Sequence, residues 1–329
     1  MGLFTHVDAA TMTEIATRFG LAPVLGFEGV EAGTVNSNYR LRSGEGTFFV
    51  RVNEGKSEDD VAYEAELVAH LAAHGVATPA PRVADDGRPY ARTSAGLVTM
   101  FPWIADGTPL RTRALAPDDA RAAGRALAAL HRAGAGFATR RASRYAFERI
   151  LERWRGLPAA PPGSDLAAAI ADTGAELERL ELLAARRAAL PQGVIHGDLF
   201  VDNTLRRRDG GLTLLDFEQA SDGAYAYDLA VCLNAWCFGD AVVPARVRAL
   251  VEGYRAVREL EPEERALLHT EACAAATRFT VTRITDVELD PRATPLVKAT
   301  KDYRRYHLRL RAWHALGERG FADAVGFLG

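Results

Sequence analysis

Cysteine and methionine are scarce in this chain of 329 residues, with three of each. Cys232, Cys237 and Cys273 form an odd, sparse set. Such a set argues against a disulfide framework and suits a reducing cytosol. Cys232 and Cys237 lie in an apolar helical pattern with no histidine nearby, so they read as buried structural thiols. Long apolar runs are also missing: none reaches the roughly 18 residues a spanning helix needs, so no membrane segment is predicted. The opening stretch MGLFTHVDAATMTEIATRFG has no basic region followed by an apolar one, so no signal peptide is predicted and the expected location is the cytoplasm. Neither sign of charge is in excess. A net charge of −3 gives no global field to recruit nucleic acid or an anionic membrane. What is there, 48% apolar and 25% charged residues, is the composition of a globular chain long enough for two domains or one large two-part unit.

Along the chain, Asp8 reads as the N-cap of a first helix over 8–19. VLGFEGV, SNYRLRS and GTFFVRVNE alternate or run apolar between glycine-containing turns and read as three antiparallel strands. A helix over 58–74 follows, closed by Gly75, and two more short strands lie in the proline-punctuated stretch ending LVTMFPWI. Residues 1–101 thus read as a small unit of sheet plus one long helix. Residues 102–329 are mostly helical, with helices expected at about 117–133, 143–156, 164–188, 224–237, 243–258, 262–282 and 295–316.

One β-like island interrupts those helices: GVIHGDLFVDNTLRRRDGGLTLLDFEQA, residues 193–220. An apolar segment ends at His196, Asp198 follows, and Asn203 heads a short strand. A DGG turn leads into a second strand ending in Asp216. Such a hairpin brings Asn203 and Asp216 to neighbouring strand ends, with Asp198 on the loop before them. An amide oxygen and a carboxylate are hard ligands able to hold Mg²⁺. A further carboxylate can take the proton of an attacking hydroxyl. Together these are the parts of phosphoryl transfer. Asp and Asn also cluster in turns for purely local reasons, and Asp209 and Asp222 are read that way, with Asp202 left open.

The island resembles the catalytic and metal loops of the protein-kinase-like phosphotransferases, which include aminoglycoside phosphotransferases, choline kinases and homoserine kinases. The resemblance implies an α+β, two-lobed protein-kinase-like fold with a small antiparallel-sheet N-lobe (1–101) and a mostly helical C-lobe (102–329). It implies Asp198 as the base, Asn203 and Asp216 as Mg²⁺ ligands, His196 as loop support and Asp228 as an anchor of the catalytic loop. A charge on the helix dipole is the local alternative for Asp228. In the small lobe, EAGTVNSNYRL would be the turn over the ATP phosphates, with Gly33 its one glycine and Ser37 beside it. Arg51 stands where these enzymes often carry a phosphate-binding lysine. Its expected partner is Glu64 or Glu66, with Glu64 favoured by helical register. The backbone of Thr99, Met100 and Phe101 would meet adenine.

Five segments in order resemble homoserine kinases in particular: GTVNSNYRL, DLFVDNTL, YDLAVCLNAWCF, RFTVTRITD and VKATKDYRRYHLRL. The departures are Arg51, Gly197 and a tyrosine, Tyr303, in place of a proline. The resemblance implies transfer of phosphate from ATP to the hydroxyl of L-homoserine, a step of threonine synthesis. Lys298, Lys301, Arg304, Arg305, Arg309 and Arg311 would repel a polycationic acceptor, and Arg283 can receive a carboxylate. Alternatives are the same chemistry on an aminoglycoside, methylthioribose, hydroxylysine or another amino alcohol, or a nucleotide-binding pseudokinase. The expected partners are ATP and a small acceptor, and the sequence leaves oligomeric state open.

Overall fold

The computed structural model describes residues 5–30 and 36–327. The chain forms two compact units: Met1–Thr108 with Gly136–Thr139 and Thr213–Glu218, and Pro109–Ala135 with Arg140–Leu212 and Gln219–Gly329.

The first unit opens with α1 (Ala9–Arg18), whose N-cap Asp8 accepts from the Thr11 N–H at 2.8 Å. Strands β1 (Val24–Gly29), β2 (Ser37–Ser43) and β3 (Gly46–Val52), helix α2 (Glu58–Ala73), and strands β4 (Ala91–Thr93) and β5 (Gly96–Pro102) follow. The antiparallel sheet has the order β1-β2-β3-β5-β4. Burial alternates along β3. Phe48, Val50 and Val52 join Leu41, Val98 and Met100 in a core against Met12 and Ile15 of α1. Period-two alternation therefore places Arg51 on the other face, where α2 supplies its partner. Gly75, at φ +84°, follows the end of α2 as the sequence predicts.

The chain continues through β6 (Thr108–Pro109), α3 (Pro117–Gly134), α4 (Phe147–Arg155), α5 (Asp165–Leu182) and α6 (Ala184–Ala188). Then come β7 (Gln192–Ile195), β8 (Thr204–Arg206), β9 (Leu212–Leu214), β10 (Ser221–Ala224) and α7 (Tyr225–Trp236). It ends with α8 (Pro244–Arg255), α9 (Pro262–Arg283), α10 (Pro295–Thr300) and α11 (Arg304–Ala324). In the second unit α9 is the axis: nearly every residue from Leu267 to Thr282 is buried, and α5, α7 and α11 pack around it. β7 and β10 pair antiparallel, with Val194 opposite Asp222. No helix among the described residues is long and apolar enough to cross a membrane.

Several local expectations are corrected. The helix expected over 164–188 is two, parted at Leu183, and that over 295–316 is two, parted at 301–303. Asp302 lies in that second gap, and its carbonyl accepts from Arg283 Nη1 at 3.1 Å instead of from a helical N–H. Asp222 is a strand residue whose carboxylate takes the Arg141 N–H at 2.8 Å and pairs with Arg140, while Asp209 does close a turn. Asn203 ends a short 3₁₀ turn, and Asp216 lies beyond β9.

α3 and α8 touch backbone to backbone. A Cβ on Gly124 would lie 2.0 Å from the Leu250 carbonyl oxygen, and one on Gly253 2.1 Å from that of Arg121. Backbone atoms cannot swing aside, so the helices must part. Gly253→Ala is expected to destabilise by about 3 kcal/mol, the upper range for overpacking. Gly44→Ala, with nothing within 4 Å, should stay within about 0.5 kcal/mol. Denaturant titration of the two variants checks this; equal stabilities would contradict the packing.

Candidate active site

In the second unit, the loop after β7 carries His196, Gly197 and Asp198. The Asp228 carboxylate, fully buried at the start of α7, holds that loop by its backbone. It accepts from the His196 N–H at 2.7 Å, the Gly197 N–H at 2.8 Å and His131 Nε2 at 3.0 Å. Burial pushes the Asp228 carboxyl up, but the hydrogen bond and charge of His131 and the loop N–H groups outweigh it and hold it below the ordinary range. Burial pushes the His131 pKa down, and the Nδ1 of the same ring lies 2.8 Å from the Tyr254 hydroxyl. Gly197 sits at φ +74°, and a Cβ there would lie 3.0 Å from the Gln219 carbonyl oxygen. Both facts favour glycine, which accounts for that departure from the family pattern. Trp236 Nε1 donates to the Leu199 carbonyl at 2.9 Å and fixes the far side of the loop.

So anchored, the loop presents the Asp198 side chain, 28% exposed. Its pKa is raised, by burial first, against the opposing pull of Arg278 and His196. The Asp198 carbonyl accepts from Asn203 Nδ2 at 2.8 Å, so Oδ1 is the end of that amide available to a cation. Around this loop stand Phe200, Phe279 and Tyr306, whose ring centroids lie 4.7–6.2 Å apart. Arg283 lies 4.3 Å over the Tyr306 ring. Burial lowers its pKa, and its Nη1 donates to the Asp302 carbonyl at 3.1 Å. Arg278, which the sequence reading passed over, lies 3.7 Å from Asp198.

In the first unit, Arg51 Nη1 meets Glu64 Oε1 at 2.8 Å, the pair expected from register, while Glu66 is exposed. Lys56 Nζ reaches Glu64 Oε2 at 3.0 Å and Glu218 at 3.2 Å. Burial alone would raise the Glu64 pKa, but Arg51 and Lys56 outweigh it and keep the carboxylate ionised. Glu218 also accepts from Asn36 Nδ2, whose Oδ1 accepts from the Glu54 N–H at 3.2 Å. The segment after β9 is thus tied to Asn36, just before β2, and to the lysine. Asp216 lies within electrostatic reach of Arg51. At φ 61° it is the sole non-glycine residue with left-handed backbone among the described residues, a conformation that aspartate tolerates and that concentrates at functional sites. Ser37 is buried, donating to Glu54 at 2.6 Å and accepting from the Thr5 N–H. Gly33 lies outside the described residues. Thr99, Met100 and Phe101 are buried in β5, where Thr99 pairs with Arg51 and the Met100 carbonyl accepts from the Arg82 N–H at 2.7 Å. The three cysteines are free and buried, their thiols pushed up by burial.

Lys56 and His131 carried no sequence signal of their own, and Arg278, which opens the RFTVTRITD segment, was given no role in the sequence reading. Lys56 follows β3 in a turn, and the other two lie on helices whose chemistry appears only when they pack against Asp228 and Asp198.

Residues 26–260 match the phosphotransferase enzyme family. The homoserine kinase of Xanthobacter autotrophicus is 35% identical over 295 residues, covering 87% of this chain and 88% of that one. The homoserine kinase of Nitrobacter winogradskyi is 34% identical over 329 residues, 96% of each chain. Among solved structures, an amicoumacin kinase in complex with AMP-PNP, Ca²⁺ and amicoumacin superposes with a TM-score of 0.70 at 14% identity, covering 95% of this chain and 98% of that one. A choline/ethanolamine kinase family protein from Mesorhizobium loti gives 0.63 at 19% identity, covering 97% and 98%. These structural likenesses show the protein-kinase-like fold.

Proposed function

The chain belongs to the phosphotransferase enzyme family, and from that premise we propose that it transfers the γ-phosphoryl group of ATP to the side-chain hydroxyl of L-homoserine. The single observation that carries the acceptor is the similarity, near 35% identity over 87–96% of this chain, to homoserine kinases. The surroundings of Asp198 support it. Arg278 is a buried cation beside the base and Arg283 a buried cation within its electrostatic reach, suited to an acceptor that carries a carboxylate and ill suited to a polycation.

Asp198 is the proposed base. As the acceptor oxygen bonds to the γ-phosphorus and the bond to the ADP oxygen breaks, the hydroxyl proton passes to the Asp198 carboxylate. Asn203 and Asp216 are the proposed Mg²⁺ ligands, and their donors, an amide oxygen and a carboxylate, are of the hard type that this cation takes. A bound Mg²⁺ supplies positive charge to the nucleotide's phosphate oxygens. Arg51, oriented by Glu64, is the proposed phosphate contact, with Gly33 and Ser37 as further proposed nucleotide contacts and Thr99 to Phe101 on the adenine side. His196 and Asp228 hold the loop rigid. Arg283 is a proposed contact of the acceptor. The proposed compartment is the cytoplasm, supported by three unpaired cysteines.

A coupled ADP-release assay tests the acceptor. L-Homoserine should give a kcat/KM at least about tenfold above choline, kanamycin-type aminoglycosides and methylthioribose, a gap of about 1.4 kcal/mol in transition-state binding. A preference for a cationic acceptor would overturn the homoserine reading and leave the phosphotransferase reading in place.

A further inference from the structure

Arg278, on α9 in the second unit, is a buried cation. Its side chain is 6% exposed. The guanidinium carbon lies 3.8 Å from the ring centroid of Tyr145 and 3.8 Å from that of Phe279. A guanidinium this close to two aromatic rings makes its hydrogen bonds through its in-plane N–H donors. Nη1 stands 3.7 Å from Asp198 Oδ1, near enough for attraction and too far for a hydrogen bond. Nε is buried and has no hydrogen-bond partner among the described residues. The Tyr227 hydroxyl, held within electrostatic reach of Arg278, is also buried without a partner.

A buried donor of a charged group left unsatisfied is costly, and such groups in a folded protein call for an explanation. Stability does not supply one, because the rings already pack against the guanidinium and nothing prevents a side-chain acceptor from being built there. A ligand supplies it, and its chemistry follows from the geometry. It must be an anion able to meet in-plane N–H donors. It must also belong to a molecule that reaches Asp198 with a hydroxyl. In homoserine the hydroxyl oxygen and the carboxylate carbon are four bonds apart, so one molecule can span both.

Resting on the homoserine reading above, we infer that Arg278 is the principal receptor of the acceptor's carboxylate. In-plane donors of its guanidinium bind the carboxylate while Nη1 remains beside Asp198. Arg278 thereby fixes the distance from the carboxylate to the base and positions the hydroxyl for transfer. Arg283, engaged by the Asp302 carbonyl and stacked on Tyr306, has the secondary role.

The test compares L-homoserine with 3-amino-1-propanol, which is homoserine without its carboxylate. Arg278→Gln should raise the KM for homoserine at least about 20-fold, the loss of a charge-assisted contact. Its kcat/KM for 3-amino-1-propanol should change less than about threefold. Arg278→Lys, which keeps the cation should the glutamine variant fail to fold, should show the same selectivity at about fivefold. Arg283→Gln should raise the homoserine KM less than Arg278→Gln does. Equal losses on both acceptors would assign Arg278 to Asp198 or to the phosphoryl group and overturn the inference, as would an unchanged homoserine KM. Those outcomes leave a wild type active on homoserine. A wild type inactive on homoserine would instead overturn the functional reading and this inference with it.

Discussion

Asp198→Asn is expected to lower kcat by a general-base factor of about 10² to 10⁴ while leaving the fold and nucleotide affinity nearly intact. The loop that carries residue 198 is held by backbone bonds from His196 and Gly197 to Asp228, and the Asp198 carbonyl, not its carboxylate, accepts from Asn203. The substitution therefore removes a proton acceptor without removing a structural contact. It also removes the charge facing Arg278 at 3.7 Å, a pair that makes no hydrogen bond. In the wild type the base works only when ionised. Because burial raises its pKa, activity should fall on the acid side at a higher pH than for an ordinary aspartate. Steady-state kinetics with nucleotide titration of the variant decides. Turnover within a few-fold of wild type would remove Asp198 from the reaction.

Asp216→Ala is expected to abolish the Mg²⁺ dependence of ATP binding and to lower turnover about 100-fold or more. A metal-bound phosphate gains several kcal/mol of charge stabilisation, and each 1.36 kcal/mol is a factor of ten. Asp216 occupies left-handed backbone, which alanine adopts less readily than aspartate, so the loop itself is at risk in this variant. Asp216→Asn separates the two effects, since asparagine tolerates that backbone and carries no charge. Both variants should lose metal dependence in calorimetry with Mg²⁺-ATP. Unchanged affinity and metal dependence in the asparagine variant would refute the metal assignment.

The parts of the site most legible in the sequence were those written on contiguous residues. The order His196, Asp198, Asn203, Asp216 lies within one short island, and the spacing alone suggested phosphoryl transfer. The pairing of Arg51 with Glu64 was legible because the family resemblance implied a glutamate on the long helix and helical register favoured Glu64, and the structure makes that ion pair. Arg278 opens the RFTVTRITD segment, but its role beside Asp198 was not legible. It lies on α9, a helix buried nearly all round, where periodicity does not single out a face, and its contact with Asp198 joins residues 80 positions apart. Lys56 escaped because a lysine in a turn after a strand looks like a solvated residue, and only the packing of α2 and of residues 213–218 gives it two carboxylates. The strand Ser221–Ala224 is short and contains Asp and Gly, which local propensity disfavours, and pairing with β7 overrides that. The break at 301–303 was hidden by an unbroken helical pattern, since a carbonyl withdrawn to serve Arg283 leaves no mark on periodicity.

The central claim is that this chain esterifies the hydroxyl of L-homoserine with phosphate. Phosphorus NMR of a reaction containing the protein, Mg²⁺-ATP and L-homoserine tests it most directly. The account predicts stoichiometric ADP and a new phosphomonoester signal coupled to the γ-methylene protons of homoserine. ADP with inorganic phosphate alone, or an ester formed only when an aminoglycoside or choline replaces homoserine, would contradict it.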